Sequence, residues 1–272
     1  MNRYDIVGDV HGMRATLEAL LASLGYDRGP QGWVHGEGRR LVFVGDLLDR
    51  GPDPLGCLEL VEELVSAGIA QAVLGNHEIN AAHFMLGHRA RSEKNLKQLR
   101  TTLAQTEADP GRWDRAFAFI ERTPTRLLLD DGKLRVVHAC WSEEFLADLP
   151  ELINTPELWK ETAKGGRHYE AVEVCLKGPE QPVVGDPVPD KDGVLRDKKR
   201  VEWWKDYPED EPLVVFGHYW FPLKDDLPTR GLLGPGRNAV CVDHSAGKGG
   251  WLVALRYPEI HFVSVPNLDS VT

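Results

Sequence analysis

Six short apolar runs in this 272-residue chain each end on a polar residue able to hold a metal ion or move a proton. Tyr4 to Val7 leads into Gly8-Asp9-Val10-His11-Gly12, and Leu41 to Val44 into Gly45-Asp46-Leu47-Leu48-Asp49-Arg50-Gly51. Ala72 to Leu74 leads into Gly75-Asn76-His77-Glu78. Later runs end on His138, on Gly217-His218 and on Asp243-His244. Asp9, Asp46, Asn76, His11, His138 and His218 form a mixed oxygen and nitrogen donor set. Such a set suits Mn²⁺, Fe or Zn²⁺ rather than Ca²⁺, which takes oxygen alone. A carboxylate shared by two ions would hold them roughly 3.5–4 Å apart, the separation used for in-line displacement at phosphorus. Asp46, which opens the second motif, is the natural bridge.

These residues lie far apart in sequence, so the fold must gather them. In open α/β sheets, ligands bind outside the carboxyl ends of strands, which is where each of these residues falls. The first half alternates apolar runs with helical patterns. Leu17, Leu20, Leu21 and Leu24 repeat at helical spacing before Gly25, and Leu55 to Val65 does so before Gly68. Helices are expected over roughly 78 to 107 and 112 to 121. This βαβαβα order implies a largely parallel sheet with helices on its faces. The second half is richer in strands. Residues 126–129 and 134–137 read as a hairpin around an Asp-Gly turn, and 213–216, 239–242, 251–255 and 261–265 are further apolar runs. The expected class is therefore α/β, with mixed β-sheets sandwiched by helices in a single domain over 1–272. Between about 142 and 212 the composition shifts toward Pro, Gly, Lys, Asp and Glu, with one helix expected at 169–176. That stretch reads as an insertion or lid over the face of the sheet that carries the site.

Composition narrows the function. The chain has 32 Lys+Arg against 42 Asp+Glu, a formal net charge of −10. An acidic surface argues against long nucleic acid or an anionic membrane as the main partner. Cys57, Cys140, Cys175 and Cys241 are scattered without a C-x-x-C pair, so four buried thiols in a reducing compartment are expected. The N-terminus lacks the apolar core of a signal peptide, and no apolar stretch is long enough to cross a membrane. The cytoplasm is the expected location.

Taken as a set, G-D-x-H-G, G-D-x-x-D-R-G, G-N-H-E and two later strand-end histidines resemble the calcineurin-like metallophosphoesterase superfamily. Asp49-Arg50-Gly51 and Glu78 resemble its phosphoprotein-phosphatase-type branch, which includes bacterial protein phosphatases and diadenosine tetraphosphatases of the ApaH type. The likeness is close over residues 4 to 140 and looser over 213 to 256. It implies two divalent ions, manganese being favoured over iron or zinc. Asp9, His11 and Asp46 would hold the first ion; Asp46, Asn76, His138 and His218 would hold the second. Arg50 would grip phosphate oxygens with its planar fork. His77, oriented by Asp49, would protonate the leaving oxygen while a metal-bridging hydroxide attacks in line. Two divalent ions against two aspartates would make the centre locally positive and suit it to a small phosphorylated molecule, a nucleotide or a phosphoprotein, whatever the overall charge.

The pattern departs from the family in two places. His138 is followed by Ala139-Cys140-Trp141 where His-Gly-Gly is usual, which puts a large aromatic side chain at the expected substrate wall. Relatives of the protein-phosphatase kind also carry a second phosphate-binding arginine between the last two histidines. Arg196 and Arg200 are the candidates, with Arg200 preferred because Trp203 and Trp204 would anchor it. The leading expectation is a phosphomonoesterase of the protein-phosphatase kind. The alternative is a dinucleoside polyphosphate hydrolase, for which tryptophans in 141–220 would offer stacking surfaces. A rival of another class is a non-catalytic metal-binding scaffold. Sequence says nothing about oligomeric state.

Overall fold

The computed structural model describes residues 2–30, 32–189, 195–222 and 231–270. Two β-sheets pack face to face, with helices on their outer sides. In the first, Tyr4–Val7 lies parallel to Arg40–Phe43, which lies parallel to Ala70–Ala72. Tyr4–Val7 also pairs antiparallel with Trp251–Tyr257, which carries Asp243–His244 and His261–Pro266 as antiparallel neighbours. In the second, Leu213–Phe216 lies between Leu134–Val137 and Ala239–Cys241, parallel to both. Arg126–Leu129 and Leu232–Leu233 close its two edges in antiparallel fashion.

Strand alternation accounts for the layering. Ile6, Val42, Val136 and Val215 belong to the apolar cluster between the sheets. Their neighbours Val7, Phe43, Val137 and Phe216 belong to the cluster shared with the helices. Strands buried on both faces read as unbroken apolar runs, which is why these were recognisable. The sheets are mixed rather than largely parallel, as the two-sheet class expects.

Local chemistry sets the helices. Arg14–Leu24 stops at Gly25, whose φ of 92° lets its N–H turn back to the Ala22 carbonyl. Asp53 caps Pro54–Ser66 by accepting from the Gly56 N–H, and Pro54 occupies the first turn. The span expected as helix over 78 to 107 is three helices: Asn76–Met85, Glu93–Gln98 and Arg100–Ala108. Gly87 has φ of 77° and Ser92 starts a new helix as its cap, so one helix could not run through. Pro110–Arg122 follows.

Two features lie outside the sequence expectation. Tyr26–Gly29 and Gly32–His35 pair as a hairpin. Residues 142–189 hold three helices rather than one: Glu143–Leu146, Pro156–Glu161 and Arg167–Lys177. Trp159 is buried beneath them, with its ring 5.8 Å from that of His83. Beyond these helices, Glu180–Pro182 pairs with Lys198–Arg200 and Val188–Pro189 with Leu195–Arg196. Part of the Gly-Pro-rich stretch, residues 190–194, lies outside the described residues. Among the described residues no helix is long and apolar enough to cross a membrane.

Candidate active site

The strand ends meet because glycine lets them. A Cβ on Gly45 would lie 2.4 Å from the Gly75 nitrogen, so the second and third motifs touch backbone to backbone. A Cβ on Gly217 would lie 2.0 Å from Oδ1 of Asp9, so the first motif is pressed against the turn that carries His218. The residues just beyond hold left-handed backbone without being glycine: His11, Asp46, Asp49, Arg50, His218 and Trp220 all have φ between 50° and 71°. Such conformations persist only where surrounding contacts over-determine them, and they gather at functional sites.

Asp46 is the hub. Its Oδ1 accepts the His77 N–H at 2.8 Å and lies 3.3 Å from His138 Nε2. Its Oδ2 lies 3.6 Å from His11 Nε2 and 3.8 Å from His77 Nε2. Asn76 Oδ1 lies 2.7 Å from His218 Nδ1 and 3.1 Å from His138 Nε2. Each imidazole is oriented from behind. His138 Nδ1 donates to the Val44 carbonyl at 2.7 Å and His11 Nδ1 to the Leu48 carbonyl at 3.1 Å, which turns both Nε2 atoms inward.

Among the described residues two clusters could hold metal ions: His11, Asp46 and His77, and Asp46, His138 and His218. Asp46 belongs to both. Asp9 joins neither by distance; its carboxylate accepts the His218 N–H at 3.0 and 3.3 Å. A cation fits here on two observations. The buried Nε2 atoms of His11 and His218 have no hydrogen-bond partner among the described residues. Burial and the neighbouring Asp243 push the Asp9 carboxyl well above the usual carboxylate range, a crowding of acids that a cation would relieve.

Charge within the site is graded. Burial opposes ionisation of Asp46, yet His138 and His77 beside it hold its carboxyl well below the usual range. Burial likewise opposes protonation of His138, but Asp46 pushes it up to about 10. His77 is also raised against burial, by Asp46 and Asp49. His11 and His218 go the other way, lowered by burial first and then by His77 and Arg200 respectively. Raised and lowered imidazoles thus stand side by side around Asp46, whose charge acts on each.

Behind His77 stands Asp49, the partner that the resemblance implies, and behind Asp49 stand residues that motif spacing does not announce. His77 Nδ1 lies 2.6 Å from Asp49 Oδ2, which also accepts from Gln98 Nε2 at 3.2 Å. Thr102 Oγ1 donates to the other Asp49 oxygen at 2.9 Å, and Arg89 holds Gln98 from the far side at 3.2 Å. Glu78 does similar work for Asp46. Its two oxygens accept four backbone N–H groups, of Asp46, Leu47, Leu48 and Gly75, at 2.8 to 3.1 Å. The only sequence signal for this was its third place in the helix beginning at Asn76, the capping-box position.

Arg50 lies 4.1 Å from the centroid of the Trp220 ring, and that ring is 5.7 Å from His11. Asp243 fixes Trp220 by accepting its N–H at 2.7 Å, and its other oxygen accepts the Ser245 N–H at 3.0 Å. Arg200 donates to the His218 carbonyl at 3.3 Å, while Arg196 lies on a separate short strand, Leu195–Arg196; both arginines are exposed. Arg200, Asn76 and His218 line a cleft of about 540 Å³ that continues along the helix Arg167–Lys177. Trp141 does not line it: its ring is buried, its Nε1 donates to Glu143 and Arg135 lies over it. The expected change in the substrate wall is therefore absent at Trp141, because its partners draw it into the core. Trp203 and Trp204 also pack inward, against Phe216.

The chain matches the model of the calcineurin-like phosphoesterase family over residues 3–238. It is 34% identical over 269 residues to the asymmetrical bis(5′-nucleosyl)-tetraphosphatase PrpE of Anoxybacillus flavithermus, covering 97% of this chain and 94% of that protein. Its fold is similar to a solved, provisionally assigned diadenosine tetraphosphatase: TM-score 0.53, 22% identity, 99% of this chain and 95% of the other. It is similar also to a protein serine/threonine phosphatase from Saccharomyces cerevisiae, with TM-score 0.51, 15% identity, and 100% and 80% covered. Two mixed sheets with a cluster of metal-binding side chains at their strand ends define a metallophosphoesterase. The chain belongs to the calcineurin-like phosphoesterase family and is a hydrolase of phosphate esters.

Proposed function

We propose that this protein hydrolyses dinucleoside tetraphosphates asymmetrically, into a nucleoside triphosphate and a nucleoside monophosphate. The observation that carries this reading is the near full-length similarity to the Anoxybacillus enzyme of that activity. It reverses the order expected from sequence, where a phosphomonoesterase of the protein-phosphatase kind came first. The phosphoprotein reading rested on a second arginine, and Arg200 beside His218 serves a dinucleotide equally well.

Asp9, His11 and Asp46 would hold one divalent ion, and Asp46, Asn76, His138 and His218 a second; the mixed donors suit manganese, iron or zinc, and the family resemblance favours manganese. The pair would lower the pKa of bound water and offset charge developing on the phosphate oxygens. Arg50, braced on Trp220, would hold non-bridging oxygens of the substrate. A water oxygen bonds to phosphorus as the bridging P–O bond breaks. His77, its imidazole raised by Asp46 and Asp49, delivers a proton to the leaving phosphate oxygen. Arg200 rather than Arg196 is the second phosphate-binding arginine.

The insertion over 142–212 belongs to the single domain and forms the substrate wall, since it supplies Phe145, Tyr169 and Arg200 to the cleft. Four buried, free cysteines suit a cytoplasmic setting, and the net charge of −10 suits a small phosphate compound better than nucleic acid or membrane. Chromatography of products from manganese-loaded protein tests the reading. ATP and AMP in equal amounts from diadenosine tetraphosphate support it. ADP as the sole product, or faster turnover of a phosphopeptide, would overturn it.

A further inference from the structure

The cleft beside Asn76 and His218 holds chemistry that metal binding does not need. Two half-buried aromatic rings line it: Phe145 on the helix Glu143–Leu146, and Tyr169 in the first turn of Arg167–Lys177. Its charged lining is balanced, with Lys177, Lys198 and Arg200 against Glu170, Glu173 and Glu180. Lys177 and Glu173 are paired with each other one helical turn apart. A run of several phosphates would bring about one negative charge each into a region with no net positive charge to meet them. A nucleoside suits it better. Its base is flat and uncharged and stacks on aromatic faces, and ribose hydroxyls donate to carboxylates. Arg200, by donating to the His218 carbonyl, sets a cation directly beside the metal-binding side chains.

Resting on the dinucleoside tetraphosphate reading above, we propose that this cleft is a nucleoside monophosphate subsite. The base lies between Phe145 and Tyr169, ribose hydroxyls donate to Glu170 or Glu173, and Arg200 holds the single phosphate next to the ribose. One phosphate then separates the gripped nucleoside from the attacked bond, and the remaining three lie beyond the metal-binding set, away from the cleft. This placement accounts for an unequal cut: the gripped end leaves as the monophosphate.

Kinetics on the manganese-loaded, full-length protein test this, with equilibrium dialysis of AMP as a second readout. Phe145→Ala and Tyr169→Ala are expected to raise KM for diadenosine tetraphosphate roughly tenfold or more, the scale of one lost stacking contact. AMP affinity should fall by a similar factor, while Tyr169→Phe keeps both. Unchanged KM and AMP affinity in both alanine variants overturn the subsite and leave the tetraphosphatase reading standing. If wild-type protein does not cleave diadenosine tetraphosphate, that reading fails and AMP dialysis decides the subsite alone. Weaker AMP binding by the alanine variants then supports it, and equal binding, or none by the wild type, overturns it.

Discussion

His77 Nδ1 lies 2.6 Å from Asp49 Oδ2, and both side chains are buried. A carboxylate at that distance keeps the proton on Nδ1 and directs Nε2 toward Asp46, 3.8 Å away. If His77 is the proton donor, its removal matters most where the leaving oxygen is basic. His77→Asn and Asp49→Asn are expected to lower kcat about a hundredfold or more on diadenosine tetraphosphate. The loss on an alkyl phosphate such as glycerol 2-phosphate, whose alkoxide leaving group is far more basic than a phosphate oxygen, should be clearly larger. Equal losses on both substrates would remove His77 from that role.

Thr102 positions Asp49 from the opposite side, donating at 2.9 Å from a fully packed place on the helix Arg100–Ala108. Thr102→Val keeps the shape and leaves a buried carboxylate oxygen without this donor. We expect a loss of about 1–3 kcal/mol in denaturant-derived stability, with kcat falling and KM little changed. Thr102→Ser should restore both. A valine variant with unaltered kcat would make Thr102 a packing residue only.

Glu78 gathers four backbone N–H groups around the Asp46 turn. In Glu78→Gln an NH₂ group must face two of those donors. Stability should drop by roughly 3 kcal/mol, and metal content per chain, measured by elemental analysis, should fall with it. Full metal content in a folded Glu78→Gln protein would contradict the view that this carboxylate holds the Asp46 turn in its left-handed conformation.

Much of this site was legible because each donor sits at the end of an apolar run, and a run buried on both faces is conspicuous. Asp9, His11, Asp46, Asn76, His138 and His218 could be named that way. Thr102 and Gln98 could not. Their approach to Asp49 depends on how two short helices turn after Gly87 and Ser92, and the expectation of helices over 78 to 107 did not place that break. The left-handed backbone at Arg50 was equally hidden, since arginine does not advertise positive φ; aspartate tolerates it better than most residues, but nothing marked Asp46 and Asp49 out from the other aspartates. Trp141 misled because residue size said nothing of direction; Arg135 and Glu143, which hold it in the core, are revealed only by the fold.

His83 gives a pH signature away from the site. Burial lowers its pKa from 6.5 to about 3, and its Nε2 lies 3.0 Å from Thr162 Oγ1. A histidine held neutral in the folded state stabilises it fully above pH 6.5. That contribution is lost as pH falls from 6.5 toward 3, because only the unfolded chain takes up the proton. The stability gap between wild type and His83→Gln should therefore narrow by about 1.4 kcal/mol per pH unit over that window. Chemical denaturation at pH 7, 5.5 and 4.5 would show it, and a gap independent of pH would refute it.

Asp46 is the one side chain common to both candidate metal clusters, so both ions would depend on it. The direct measurement is manganese-dependent turnover of diadenosine tetraphosphate by purified Asp46→Asn, beside wild type of the same preparation. Two ions that must be held together to act contribute several kcal/mol. A fall of roughly a thousandfold or more is expected from that loss, in a protein that still folds and melts cooperatively. Turnover near the wild-type rate in folded Asp46→Asn would contradict a hydrolytic centre built on this residue.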